Sequence, residues 1–435
     1  MSSAAFGQRT IFSYLAKLVP TFFALATTFL IARVLGPADY GSFTFITALF
    51  GGFFLVFAGG MLTNTVFVFT AKYESRKIYR LMVVAAHAVA LFIAAAFFVF
   101  PALKEMVGIE TNQLLYYGII FLFFTPFSLI LSYVFKGFNR FGVVFKSTLA
   151  ENISNLLLSL ILVVFFKWGL EGIFIAKFIS ILFGVGVYLF EFKKLKFSEK
   201  KVDTREIVSF MGWNMLSDTF RQAGSQAVTI FAGMFLSPAA LGSYYLAQKL
   251  ASATVGIPSA AASEVLLSHA AKMSDPISVW RDMFRVIRVT LIISTLIGIM
   301  FFASLPFLVR AAFPQFEGVE RLLGLFILLF ISSALTFPAN IFRTNNWMKM
   351  LAIFQLAGLM ITLMIGWVLA QTMGAEGIIL IQILVNVCLG FGLMAWIIST
   401  QRVPLKMIVF QKEDVRMVKK LMEKWYSDAR RVIRN

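Results

Sequence analysis

Asn214, Ser217, Asp218, Arg221, Gln222, Ser225 and Thr229 recur at spacings of three and four within an apolar stretch of the chain. That periodicity gathers them on one face of a helix. A guanidinium, a carboxylate and amide and hydroxyl groups on one face form a surface that water or a polar solute can wet. Asp218 stands three residues before Arg221, so a self-neutralising ion pair packed between helices is the competing reading. Seven polar residues are more than one pair needs, which favours a solvated cavity. A second stretch has a similar face in Tyr245, Gln248, Lys249, Ser252, Ser259 and Ser263. A third, near the start, offers Ser13, Tyr14, Lys17, Thr21 and Thr28, with Lys17 close enough to one end to snorkel to the interface as readily as to meet a solute. Asn64 lies near Gly51, Gly52, Gly59 and Gly60, glycines that suit close helix packing. Glu151, Asn152, Asn155 and Lys177 form a further polar group, and Gln355, Gln382 and Asn386 another; both read mainly as interhelical hydrogen bonds.

The elements that carry these residues are membrane helices. Of the 435 residues 60% are hydrophobic, 50 are Phe and only 14% are charged, with a mean hydropathy of +0.86. A soluble globule has an apolar share nearer half. About twelve stretches reach the ~20 residues that spanning requires: about 10–33, 41–68, 79–101, 112–135, 142–166, 170–190, 206–236, 239–266, 284–309, 321–342, 347–370 and 375–399. The first is too long and too polar at its start for a secretory signal, so it is expected to remain as the first span. Arg221 sits near mid-membrane in the seventh span, and Lys249 about ten residues inside the eighth. With Lys17 and Lys177 these are the basic residues placed deepest inside the spans.

A formal charge of +18 suggests nucleic acid, but the basic residues follow membrane topology instead. Most of the 39 Lys and Arg fall in loops on one side and in the tail, including Lys72, Arg76, Lys77, Arg80, Lys193, Lys194, Lys196, Lys200, Lys201 and Arg205. The opposite loops hold Arg33, Lys104, Lys167, Arg310 and Arg321. The positive-inside rule then places both termini in the cytoplasm of a multi-pass protein of the cell membrane, and no nucleic-acid partner is expected.

The chain is also duplicated. Leu35-Gly36-Pro37-Ala38-Asp39-Tyr40-Gly41-Ser42 returns as Leu236-Ser237-Pro238-Ala239-Ala240-Leu241-Gly242-Ser243, and Gly169-Leu170-Glu171-Gly172-Ile173 as Gly374-Ala375-Glu376-Gly377-Ile378. Six spans per half make the repeats parallel, related by an axis along the membrane normal. The expected organisation is an all-α polytopic protein: a six-helix lobe at 1–190, a charged cytoplasmic linker at 191–205, a second six-helix lobe at 206–400 and a basic tail at 401–435. Val415, Val418, Leu421, Met422, Trp425 and Ile433 alternate with Lys and Arg in that tail, as in an amphipathic helix lying on anionic headgroups.

Catalytic signatures are missing from the sequence: it has no P-loop, no glycine fingerprint for a nucleotide and no nucleophile with an identifiable base. Cys388 is the single cysteine and His87 and His269 stand alone, so no disulfide framework, metal cluster or cofactor is expected, and the protein is not expected to be an enzyme. Transport energy must then come from a gradient, a partner or the solute itself. Asp218 and Glu151 are the carboxylates placed for H+ or Na+ coupling, with a structural role as the alternative for each. A cationic cavity around Arg221, Lys249 and Lys17 implies an anionic solute, and phosphate is the group that Arg and Lys hold best.

Ala32-Arg33-Val34-Leu35-Gly36-Pro37 leading to Tyr40-Gly41, Lys136-Gly137-Phe138-Asn139-Arg140-Phe141, and Ser237-Pro238 before Gly242-Ser243-Tyr244 resemble the polysaccharide-biosynthesis (Wzx-type) oligosaccharide flippases. These belong to the multidrug/oligosaccharidyl-lipid/polysaccharide exporter (MOP) superfamily, and the resemblance runs over essentially all twelve spans. It implies a V-shaped, two-lobed, MATE-like transporter. It also implies movement of a polyprenyl-(pyro)phosphate-linked oligosaccharide from inner to outer leaflet, with its lipid tail left in the bilayer. By that analogy Arg221, Lys249 and Lys17 would meet phosphate, and Asn214, Gln222, Gln248 and Asn64 sugar hydroxyls. Membrane lipids and glycan polymerase or ligase machinery would be the partners. The related lipid II flippases carry two further helices that this chain lacks. A multidrug or cation extruder of the same superfamily, and a non-transporting membrane scaffold, are the rival readings; a glycosyltransferase would need a long catalytic loop, and none is present.

Overall fold

A computed structural model of the chain describes residues 3–99, 105, 112–138, 140–197, 204–256, 276–344, 347–401, 403, 404, 409, 411 and 414. The described residues are helical and contain no strand. The first two expected spans form one helix, α1 (Ser3–Tyr73), turned at Gly36 (φ 77°, ψ 177°). Pro37 follows and has no N–H to continue the ladder. The separate helices expected at about 10–33 and 41–68 are therefore joined by a single-residue break. The stretch Val19–Ala58, 40 residues long and apolar, measures ~60 Å as helix, about twice a bilayer core, and so crosses twice. An L-residue rarely adopts the Gly36 conformation, and Gly36→Ala is expected to cost about 1–3 kcal/mol, read as a lower melting temperature in detergent.

The remainder of the first half comprises α2 (Arg76–Val99), α3 (Asn112–Gly137), α4 (Phe141–Ser159, continued by a π-helical turn at Leu160–Phe165) and α5 (Gly169–Phe192). The second half comprises α6 (Thr204–Phe235), α7 (Pro238–Thr254), α8 (Pro276–Ala312), α9 (Val319–Ser332), the short α10 (Pro338–Thr344), α11 (Met348–Met373) and α12 (Ala375–Gln401). Ser237 caps α7, its hydroxyl accepting from Ala240 N at 3.3 Å with Pro238 in the first turn. The expected span at about 321–342 is broken by a 3-10 turn at Ser333–Thr336 before Pro338, because proline cannot donate the next helical bond. Among the described residues nine segments are long and apolar enough to cross a membrane; α6 and α7, which carry the polar faces, are not among them.

The duplication is visible in the corners. Gly169 (φ 55°) and Gly374 (φ 57°) reverse the chain ahead of α5 and α12. Two residues later Glu171 accepts from Gln113 of α3, while Glu376 pairs with Arg321 of α9 at 2.7 Å. Gly172 and Gly377 then pack on the carbonyl ends of Leu162 and Leu369 in the preceding helix.

The halves meet along α1 and α6, which run antiparallel. Thr219 Oγ1 donates to Val56 O and Gln226 Nε2 to Leu49 O, both at 3.0 Å and seven residues apart on each helix. One apolar core, from Leu49, Phe50 and Phe54 through Phe231, Tyr244 and Phe326, joins the two halves. A second gathers Trp280, Phe342, Met348 and Leu351, with Trp347 and Trp396 against it, and Trp280 stacks on Trp347 at 5.7 Å.

Candidate functional site between the halves

α6 has partners on two sides. Thr219 and Gln226 face α1, whereas Gly224 approaches Thr362 and Phe231 meets Trp367 at 5.8 Å on α11. Two arcs remain between these contacts. One carries Leu216 and Met234, both exposed, and suits lipid. The opposite arc carries Asp218, Arg221, Gln222, Ser225 and Thr229.

This polar arc is not uniformly wet. Ser217 is 1% and Asp218 4% exposed, and Ser217 in fact turns toward the protein. The Arg221 side chain is 46% exposed and its Nε stands 3.4 Å from Asp218 Oδ1. The pair foreseen in the sequence is present but longer than a strong charge-assisted bond. Gln222 is half-buried and Ser225 exposed.

Lys249 lies on α7, four residues beyond Tyr245. Its side chain reaches solvent, yet protein surrounds it on most sides and Lys177 of the opposite half lies within electrostatic reach. A side chain exposed but enclosed in this way lines a cleft. Gln248 beside it is half-buried, Ser252 Oγ turns back to Lys249 O at 2.9 Å, and the buried hydroxyl of Tyr245 has no hydrogen-bond partner among the described residues. Lys177 in turn pairs with Glu151 of α4 at 2.7 Å, with 26% and 22% of the two side chains exposed. Counted from the Gly36/Ser237 end of the helices at 1.5 Å per residue, Lys177, Lys249, Arg221 and Glu151 lie ~12–21 Å deep.

Cations from both halves thus converge at middle depth. Lys177 makes the interhelical bond expected of it, with Glu151, and also lies near Lys249. The other interhelical bonds form as expected: Gln382 Nε2 donates to Tyr244 OH at 3.1 Å and Asn386 Nδ2 to Ser332 Oγ at 3.2 Å. His87 Nδ1 bonds Val83 O at 2.8 Å, and Gly52 packs on Gln226. The side chains of Lys17, Asn64 and Asn214, together with His269 and residues 415–435, lie outside the described residues.

One basic residue was missed. Arg288, four residues inside the ninth expected span, is 4% exposed. It grips Asp414 by two bonds, Nε to Oδ2 at 2.6 Å and Nη2 to Oδ1 at 3.1 Å. Gln411 N adds a third bond to Asp414 Oδ2 at 2.8 Å. The start of the tail is therefore fastened to the protein. The available signal was an arginine four residues beyond the expected start of a span, with few carboxylates in the tail to meet it.

Two bundles of membrane helices, with basic and polar side chains of both halves at middle depth between them, form a MATE-like fold. Three solved structures share it: the MATE multidrug transporter DinF-BH (14% identity, TM-score 0.68, 92% of this chain and 96% of that one), the outward-facing conformation of a multidrug resistance MATE family transporter of the MOP superfamily (13%, 0.66, 88% and 94%), and a MATE protein in its bent conformation (13%, 0.65, 89% and 93%). At such identities the likeness is one of fold. No curated protein sequence matches the chain. Residues 6–274 match the family described as polysaccharide biosynthesis protein, and the chain belongs to that family.

Proposed function

We propose that the protein moves a polyprenyl-(pyro)phosphate-linked oligosaccharide from the inner to the outer leaflet by alternating access, its two lobes (1–190 and 206–400) rocking about the linker at 191–205. The observation that carries this reading is the approach of Lys249 to Lys177 of the opposite half, with the half-exposed Arg221 at a similar depth on α6. The nearby carboxylates, Asp218 and Glu151, each have a basic partner, so the cleft presents positive charge to a solute. Arg221, Lys249 and, from the resemblance, Lys17 hold phosphate; Gln222, Gln248, Asn214 and Asn64 bond sugar hydroxyls; the lipid tail stays in the bilayer. Both termini face the cytoplasm of the cell membrane, as the basic loops indicate. In this reading glycan polymerase or ligase machinery receives the product, and Asp218 and Glu151 are the groups through which H+ or Na+ coupling would act.

The test is translocation of a fluorescent polyprenyl-phosphate-linked saccharide in proteoliposomes, comparing the unmodified protein with Arg221→Ala and Arg221→Lys at matched abundance. Loss with alanine and partial recovery with lysine is expected; unchanged rates with both variants remove Arg221 from the site. Efflux of an organic cation dye, without saccharide movement, would replace the proposal by a multidrug extruder.

A further inference from the structure

The two copies of the repeated motif touch each other. A Cβ on Gly41 would overlap Pro238 O and stand 2.6 Å from Gly242 N, while a Cβ on Gly242 would overlap Pro37 O and stand 2.8 Å from Pro37 C. Backbone meets backbone, so no side chain can swing aside to make room. Both contacts lie at the end of the cleft marked by Gly36 and Ser237. Gln315, between α8 and α9, reinforces that end by donating from Nε2 to Ala32 O at 3.3 Å and Arg33 O at 3.1 Å. Phe29 meets Phe313 at 4.8 Å and Tyr40 meets Phe316 at 6.0 Å.

The contacts between the two repeated motifs differ in kind from those of the α1–α6 seam. The seam places side-chain donors on main-chain carbonyls between packed helices, with Gln226 4% exposed. Among the described residues no backbone hydrogen bond or ion pair joins Pro37–Gly41 to Pro238–Gly242. They are held by shape, and shape contacts separate without stranding a buried polar group.

We propose that Pro37–Gly41 and Pro238–Gly242 are the gate at this end of the cleft, closing on each other in one half of the transport cycle, and that Gly41 and Gly242 are the positioning residues that let it close. The proposal rests on alternating access as read above. A side chain at either glycine acts as a wedge: it prevents closure and leaves opening untouched. The state with this end open gains population in proportion.

The lone cysteine, Cys388, makes the test direct. In a Cys388→Ser background, Arg33→Cys with Gln315→Cys is joined by a short dithiol-reactive linker when the gate is shut. Adding Gly242→Val, or Gly41→Val, is expected to reduce the yield by about fivefold or more in protein that remains monodisperse. Gly186→Ala, where a Cβ meets open space, should leave it unchanged. An unchanged yield in folded Gly242→Val overturns the gate.

Should both valine variants fail to fold, the double-cysteine protein itself decides. Linking it should stop saccharide translocation in proteoliposomes, and reductive cleavage of the linker should restore it; undiminished transport while linked overturns the proposal. Crosslinking does not depend on the solute. A protein that moves no saccharide yet shows the valine effect would disprove the substrate reading and keep the gate.

Discussion

Lys249→Ala is expected to slow saccharide translocation about tenfold, and Lys249→Glu about a hundredfold or more, with Lys249→Arg close to the unmodified rate. Truncating one member of a desolvated charge pair costs ~2–5 kcal/mol, and the solvent that reaches Lys249 places the alanine variant toward the lower bound. Charge reversal acts twice. On the proposed function it removes a phosphate ligand, and it puts a carboxylate within reach of Lys177, in competition with Glu151 and across the division between the halves. Such a bridge holds the cleft in one state. Initial rates in proteoliposomes, with the inserted protein quantified, check the order arginine, alanine, glutamate; equal rates for all three would remove Lys249 from the path.

Asp414→Ala is expected to destabilise the protein by about 3 kcal/mol, the lower part of the range for breaking a buried ion pair. The pair is sealed from solvent, with 5% and 0% of the two side chains exposed, although Asp414 sits near the protein surface. The loss arises mainly because the Arg288 guanidinium, 4% exposed, loses the carboxylate that holds it by two bonds. Arg288→Met together with Asp414→Leu should therefore recover most of the stability, since both charges leave at once.

The pH dependence follows in sign. Burial alone would raise the Asp414 carboxyl, but the Arg288 guanidinium and the Gln411 N–H outweigh it and hold the group below its ordinary value. A lowered carboxylate pKa stabilises the fold above the unfolded value and is lost as pH falls through the folded one. The contribution is flat at neutral pH and disappears only in strong acid. Thermal unfolding in detergent from pH 7 downward should show an acid-side loss that Asp414→Ala lacks.

Local periodicity made the helices legible. The spacing of Asp218, Arg221, Gln222 and Ser225 put them on one face, and the structure keeps Arg221 and Ser225 exposed there. The repeats at Gly169 and Gly374 announced corners that both halves build. Features that depend on how distant segments pack were out of reach. Nothing around Arg288 names a carboxylate 126 residues away, and nothing around Lys177 places Lys249 near it. Burial of Ser217 was equally hidden, because a three-and-four spacing defines a face without saying which edge of it meets a neighbouring helix. Pro338 did carry a local signal for the break between α9 and α10, which an apolar run concealed.

The crossed contact of Pro37 with Gly242 and of Gly41 with Pro238 has the form of an isologous dimer interface, in which residue i of one subunit meets j of the other and j meets i. Here both subunits lie on one chain. In a homodimer every substitution at such an interface is imposed on both sides together, whereas a fused chain can change one side and keep the other. The second copy shows this freedom: Ser237, in an extended conformation that any residue can take, stands where the first copy has Gly36 at φ 77°. Fusion has let two surfaces that began alike specialise while their glycines still meet.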